Sequence, residues 1–145
     1  MLVVSIGFIA LLLVPGFDRR FGWSRVPFPL ALAGDAMVAI GFYLITLVYR
    51  ENTFSSATIE IAKDHKVIST GPYAIVRHPM YAGASLYLAG TPFALGSYWG
   101  LVPLAAMIPF LVWRIVDEES LLTAELPGYI EYRHQVRNRV VPFVW

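Results

Sequence analysis

Residues 79–113 carry no charged side chain, and no other stretch limits so strongly what this chain can fold into. At about 1.5 Å per helical residue the run is about 50 Å long, more than one crossing of a hydrocarbon layer of about 30 Å and somewhat short of two. Gly96, Ser97 and Gly100 sit near its middle, with Tyr98 and Trp99 between them. Small turn residues beside interfacial aromatics predict the tip of a tight helical hairpin, with legs over 80–95 and 101–114. Pro92, Pro103 and Pro109 should bend or cap the legs, which membrane helices tolerate when neighbouring groups satisfy the freed carbonyls.

Composition agrees with a membrane reading: 57% of residues are hydrophobic and 14% charged, where a soluble domain has about 25% charged. The chain is too apolar for disorder, has no glycine period for a collagen and has no cysteine for a disulfide scaffold. The absence of cysteine also excludes thiolate-held zinc, haem or iron–sulfur clusters and a thiol nucleophile. A net charge of +1 leaves no basic footprint for nucleic acid. Residues 1–17 are uncharged and apolar, but Pro15-Gly16 should end that helix early. A signal peptide is disfavoured there, because no basic residue precedes the run and no small-residue cleavage site follows it. In residues 26–49 the only charge is Asp35, and Arg50 closes a second span. Asp35 is a functional candidate by its depth, unless it simply reaches the far interface.

Two polar stretches remain. Within 51–77, the short alternating runs 58–62 and 66–70 give a weak hairpin or extended-loop signal. Residues 117–145 open with acidic side chains and suggest an interfacial helix interrupted at Pro127-Gly128, then a short helix to about Asn138. Basic residues orient the whole. Arg50, Lys63, Lys66, Arg77, Arg114, Arg133, Arg137 and Arg139 fall on one side and outnumber Arg19, Arg20 and Arg25 on the other, which puts both polar stretches in the cytoplasm.

The densest chemistry is the run Gly71-Pro72-Tyr73-Ala74-Ile75-Val76-Arg77-His78-Pro79-Met80-Tyr81-Ala82-Gly83 at the start of the hairpin. Pro79 suits the first turn of a helix and holds His78 extended at its mouth, where orphan N–H groups can meet a polar ligand. The plainer alternative is that Arg77 and His78 snorkel at the interface. A second cluster, Trp113-Arg114-Ile115-Val116-Asp117-Glu118-Glu119, puts Arg114 and Glu118 four apart on one helical face. Such a pair can bridge internally or hold a ligand of mixed charge, or it can be a solvated stop-transfer cluster. His65, His78 and His134 have no metal-ligand spacing, so no metal is expected. Nucleotide-binding glycine motifs and a G-x-S-x-G elbow are absent from the sequence.

Taken together, Gly71-Pro72-Tyr73, Arg77-His78-Pro79-Met80-Tyr81, the hairpin, Glu118-Glu119 and the trailing Leu122, Gly128, Tyr129, Tyr132, Arg139 and Pro142 resemble the isoprenylcysteine carboxyl methyltransferase family and its phospholipid-methyltransferase-like bacterial relatives. The resemblance spans residues 51–145. It implies an all-α integral membrane protein of about four transmembrane helices with a cytoplasmic C-terminal helical cofactor-binding segment. The chain would be a single domain, 1–50 supplying N-terminal membrane helices and 51–145 the cofactor-binding core. It further implies S-adenosylmethionine as cofactor, with His65, Lys66, Val67 and Ile68 lining it through backbone groups. Tyr73, His78, Pro79, Met80 and Tyr81 would close around it, Glu118 would accept its hydrogen bonds, and Arg114 would orient the substrate. The acceptor would be a lipid-like or isoprenoid molecule, most simply a carboxylate. An amine acceptor, as in phospholipid N-methylation, would need a base such as His78 or Glu119. An NADPH-dependent membrane reductase of related bundle is the competing class, disfavoured by the Glu118-Glu119 pair near a 2′-phosphate. Residues 52–62 resemble the bacterial relatives, which implies a bacterial inner membrane with the active site facing the cytoplasm.

Overall fold

The computed structural model describes residues 2–52 and 67–145. Among them the regular structure is helical: α1 (Leu2–Phe21), α2 (Phe28–Glu51), α3 (Pro79–Ala94), α4 (Leu101–Glu125) and α5 (Tyr129–Gln135), with a 3-10 turn at Gly71–Ala74. Residues 58–62 and Lys66, on which part of the extended-loop expectation rests, lie outside the described residues. The described residues divide into two compact units, 1–42 with 84–113 and 43–83 with 114–145.

In the first unit, α1 runs through Pro15 instead of ending there. An interior proline removes a helix hydrogen bond, but here its ring is fully buried. The ring lies where a side chain on Gly100 would have to go, since a Cβ added there would sit 3.0 Å from Pro15 Cγ. Packing thus holds the helix together across the defect. Helix α1 stops at Gly22, whose φ of 67° lets its N–H return to the Asp18 carbonyl at 2.7 Å. Asp18 is fully buried. Its carboxylate accepts from the Ser24 N–H at 2.6 Å and from the Ser24 and Ser97 hydroxyls. One carboxylate therefore ties the end of α1 to the turn between α3 and α4. The neighbouring residues gave no sign that Asp18 would be buried, because the Ser97 hydroxyl that joins Ser24 on it comes from 79 residues along the chain.

The hairpin turn falls at 95–100, with Gly96 left-handed at φ 74° and Ser97 N–H bonded to the Pro92 carbonyl. Helices α3 and α4 pack on α1 through Leu11, Leu88 and Met107. Helices α2 and α3 meet backbone to backbone. A Cβ on Gly34 would lie 2.5 Å from Ala94 N, and one on Gly90 would lie 2.7 Å from Gly34 O. Helix α2 is long and apolar enough to cross a membrane, yet only 17% of its most apolar window is buried, so most of its hydrophobic side chains, Val48 excepted, are not packed into a core.

The second unit holds the end of α2, the 3-10 turn, the start of α3, the second half of α4 and α5. Helix α4 continues unbroken to Glu125, where the sequence suggested a separate interfacial helix from Asp117. The change from apolar to acidic side chains alters what surrounds a helix but gives its backbone no reason to stop. Pro127 and Gly128, at φ 84°, do stop it, and α5 follows as two turns ending at Gln135, short of Asn138. Leu126, Tyr129, Tyr132 and Val136 form the core of this unit, with Val67, Tyr73 and Leu122 packed on it.

The glycine contact makes a paired prediction. Gly90→Ala must push two backbones apart and should destabilise the protein by about 1–3 kcal/mol. Gly16→Ala meets nothing within 4 Å and should be neutral or gain about 0.5–1 kcal/mol from helix propensity. Thermal melting of the two detergent-purified variants should move in opposite directions or only for Gly90.

Candidate active site

All the polar geometry here lies in the second unit and starts from one buried carboxylate. Glu119 on α4 is 5% exposed. Its Oε1 accepts from Arg77 Nε at 2.8 Å and lies 3.3 Å from His78 Nε2, and its Oε2 accepts from Arg139 Nε at 2.8 Å. Arg77 also donates from Nη1 to the carbonyls of Val136 and Arg137, both at 2.9 Å. The backbone adds Arg77 N–H to the Asn138 carbonyl and His78 N–H to the Arg139 carbonyl, at 2.9 and 2.8 Å. Arg77 is therefore not a snorkelling interface residue. It is buried and clamps the segment before α3 to the chain after α5. Burial raises the Glu119 pKa, but hydrogen bonds from His78, Arg139 and Arg77 and the charge of Arg77 outweigh it and bring the group down to about 2. A carboxylate so stabilised is a poor general base, which weakens the sequence-based suggestion that Glu119 takes a proton.

Glu118 is rotated about 100° around α4 from Glu119 and stays partly open, its side chain 27% exposed. Its Oε2 accepts from the Tyr81 hydroxyl at 2.9 Å, and Arg114 Nε donates to that same hydroxyl oxygen at 3.0 Å. Arg114 and Glu118 share a helical face as their spacing predicts, and Tyr81 of α3 joins them. His78 lies between the two glutamates, its Nδ1 3.8 Å from Glu118 Oε1 and its ring edge-on to Tyr81 at 5.8 Å. Pro79 opens α3, with the Ala82 N–H bonded to the His78 carbonyl at 3.0 Å, so His78 is at the helix mouth as anticipated.

Around this group, the 3-10 turn begins at Gly71, whose φ of 57° suits glycine. Tyr73 accepts from Asn52 Nδ2 at 2.9 Å through its hydroxyl and from the Tyr132 hydroxyl at 2.7 Å through its carbonyl. Burial raises the Tyr73 phenol, the Asn52 bond partly lowers it, and the nearby Glu118 charge raises it again. Burial chiefly raises Tyr132 as well, and it pushes Tyr129 up to about 12 with the Glu119 charge adding to it. Tyr129 is 4% exposed and its hydroxyl has no hydrogen-bond partner among the described residues. An orphaned buried hydroxyl is costly unless a ligand or water meets it.

Of the residues singled out in the sequence, the structure brings His78, Tyr81, Arg114 and Glu118 into one connected group. Met80 is half-buried at the start of α3. Val67 packs on the Tyr129 and Tyr132 core beside Tyr73, Ile68 is half-buried next to it, and His65 and Lys66 lie outside the described residues. Sequence reasoning passed over Asn52 and left Arg139 as a mere motif position. An arginine followed by Val140-Val141-Pro142 was the available sign that Arg139 packs inward.

The arrangement is an Arg-His-Pro corner opening one helix against a Glu-Glu pair on the next. The phospholipid methyltransferase family matches residues 30–127, and the chain belongs to that family. Its curated relatives include protein-S-isoprenylcysteine O-methyltransferases. The Saccharomyces cerevisiae enzyme is 29% identical over 87% of this chain and 54% of its own length. The Schizosaccharomyces pombe enzyme is 34% identical over 54% of this chain and 34% of its own length. The Arabidopsis thaliana B form is 26% identical over 99% of this chain and 72% of its own length. The chain thus spans about a third to a half of the two yeast relatives. A solved structure of the eukaryotic intramembrane Ras methyltransferase, isoprenylcysteine carboxyl methyltransferase, shares the fold with a TM-score of 0.75 at 25% identity, over 97% of this chain and 52% of that one.

The Glu119 cluster yields a pH prediction with a definite sign. Its folded pKa lies near 2, below the ordinary 4.5, so its stabilisation is complete above about 4.5 and drains away as pH falls toward 2. Wild-type melting temperature should drop across that window. Glu119→Gln should cost about 3–5 kcal/mol at neutral pH, because the buried Arg77 guanidinium loses its counter-charge and the partly exposed Arg139 loses its ion pair, and its melting curve should lack most of the acid-dependent drop.

Proposed function

We propose that this protein is an S-adenosylmethionine-dependent methyltransferase acting on a membrane-partitioned acceptor, with a carboxylate as the acceptor group. The observation that carries the reading is the Arg114–Tyr81–Glu118 chain of hydrogen bonds beside His78. It sets a cation and an open anion side by side, which suits an anionic acceptor next to a cationic cofactor. The residues present fit that cofactor. Glu118 is partly open and has one oxygen beyond hydrogen-bond distance of His78, and the buried Tyr129 hydroxyl has no hydrogen-bond partner among the described residues. Glu118, Tyr73, His78, Pro79, Met80 and Tyr81 would hold the cofactor, and His65, Lys66, Val67 and Ile68 would line it through the backbone.

When bound, S-adenosylmethionine would supply an electrophilic methyl on its sulfonium for transfer to an acceptor carboxylate oxygen, with S-adenosylhomocysteine as the leaving group. The carboxylate is already ionised at neutral pH, so no base is required. Arg114 directs it by charge, while Tyr81 fixes both Arg114 and Glu118 and so sets the approach. A phospholipid amine would need deprotonation, and Glu119, held near 2, is unsuited to it. The names of the relatives support an isoprenoid-bearing acceptor.

We read α1, α2, α3 and the 101–114 part of α4 as four membrane spans within one methyltransferase domain, residues 1–50 forming its N-terminal membrane part and 51–145 its cofactor-binding core. The outward apolar face of α2 supports this, as does the pairing of Trp23 with Trp99 at 6.2 Å near the Asp18 end. The excess of basic residues supports a site and a C-terminal helical segment that face the cytoplasm, and the likeness of residues 52–62 to bacterial relatives supports a bacterial inner membrane.

Calorimetric titration of the detergent-purified protein tests the reading. S-adenosylhomocysteine should bind in the micromolar range and NADP should not. Glu118→Ala and Tyr81→Phe should each weaken S-adenosylhomocysteine binding about tenfold, the loss of a hydrogen bond to a charged group, with melting temperature kept. Unchanged affinity in both variants, or preference for NADP, would overturn the assignment.

A further inference from the structure

A second feature of this unit takes no part in the proposed methyl transfer. A cleft of about 560 Å³ lies between the second half of α4, α5 and the chain that follows it, lined by Arg77, Arg133, His134, Arg137, Arg139 and Thr123, with Ile130 at its edge. Its lining includes no carboxylate and none of Tyr73, Tyr81, Arg114 or Glu118. Glu119 accepts from Arg77 and Arg139 and can offset only one of the four guanidinium charges. Arg133 and Arg137 are exposed and make no ion pair among the described residues. Arg139 spends only Nε on Glu119, and its terminal nitrogens make no hydrogen bond among the described residues.

Four guanidinium groups gathered around one carboxylate keep a net positive charge and repel one another, and the fold holds two of them rigidly in place. Arg77 is fixed by Glu119 and two carbonyls, and Arg139 by Glu119 and the Trp145 ring 5.2 Å away. Arginine forks match the several oxygens of a phosphate, and a site already ordered spends less entropy on binding it. The volume admits a phosphate together with the small polar group it is attached to, and exposed Ile130 adds an apolar rim.

We propose that this cleft is a binding site for a phosphate group, separate from the methyl-transfer site. Membrane phospholipid headgroups and free phosphate share that chemistry, and the test separates them. The protein in neutral detergent is titrated calorimetrically with dihexanoyl phosphatidylglycerol below its micelle concentration and, in parallel, with inorganic phosphate. The double variant R133Q/R137Q is treated alike. Both replaced side chains are exposed, and a melting temperature equal to wild type checks the fold.

Binding of the lipid alone identifies a headgroup site, and binding of both identifies a site for phosphate from either source. In each case the double variant should bind at least tenfold more weakly, and raising salt should weaken the wild type. S-adenosylhomocysteine at saturation should leave the affinity unchanged. Failure of both ligands to bind, full affinity in R133Q/R137Q, or displacement by S-adenosylhomocysteine would overturn the proposal. The last outcome would assign the cleft to the methyl-transfer site, whereas loss of S-adenosylhomocysteine binding alone would bear only on the proposed enzymatic function.

Discussion

The second unit depends on a single buried carboxylate. Taking Glu119 out of water is unfavourable by itself, and the same holds for Arg77. Each is tolerable because the other is there, and because Arg139, His78 and two backbone carbonyls satisfy what the pair leaves over. The partners come from the segment before α3, from the middle of α4 and from the chain after α5. An interaction that is costly when incomplete therefore makes those three segments fold together. It also stations His78 at the mouth of α3, next to Glu118 and Tyr81.

In the first unit another buried carboxylate does comparable work. Asp18 gathers the Ser24 and Ser97 hydroxyls and the Ser24 backbone, closing the turn after α1 onto the hairpin tip. Nearby, helices approach through absent side chains, at Gly34 and Gly90 and again at Gly100. In an apolar surrounding, close packing and satisfied polar groups have to supply the cohesion that water expulsion supplies elsewhere.

Much of this was legible in the sequence because it depends on local rules. The turn at Gly96 to Gly100 follows from residues with little steric cost at positive φ, and the start of α3 follows from Pro79. The sharing of one face by Arg114 and Glu118 follows from their spacing of four. What could not be read depends on distant partners. Pro15 looked like a terminus because its packing beside Gly100 is not written near it. Helix α4 looked like two helices because a change of polarity resembles a boundary while leaving the backbone unaffected. Whether Arg77 snorkels or turns inward was open until its three side-chain acceptors, contributed by α4 and residues 136–137, came into view. Tyr129 and Tyr132 were visible only as motif positions, though one carries an orphan hydroxyl and the other holds the Tyr73 carbonyl.

The adjacency of Glu118 and Glu119 carries a consequence for how the chain can vary. Neighbours on a helix face different directions, so two chemically identical side chains occupy unlike surroundings: one is saturated and sealed, the other open with an oxygen to spare. They are not spares for each other. A one-residue deletion in α4 before this pair would leave both glutamates in the chain, yet it would turn Glu119 to the open position and bring Ser120 to the guanidinium groups. The spacing from Arg114 to Glu119 is therefore a fixed length in this fold, held by geometry even where individual side chains between them are free to change.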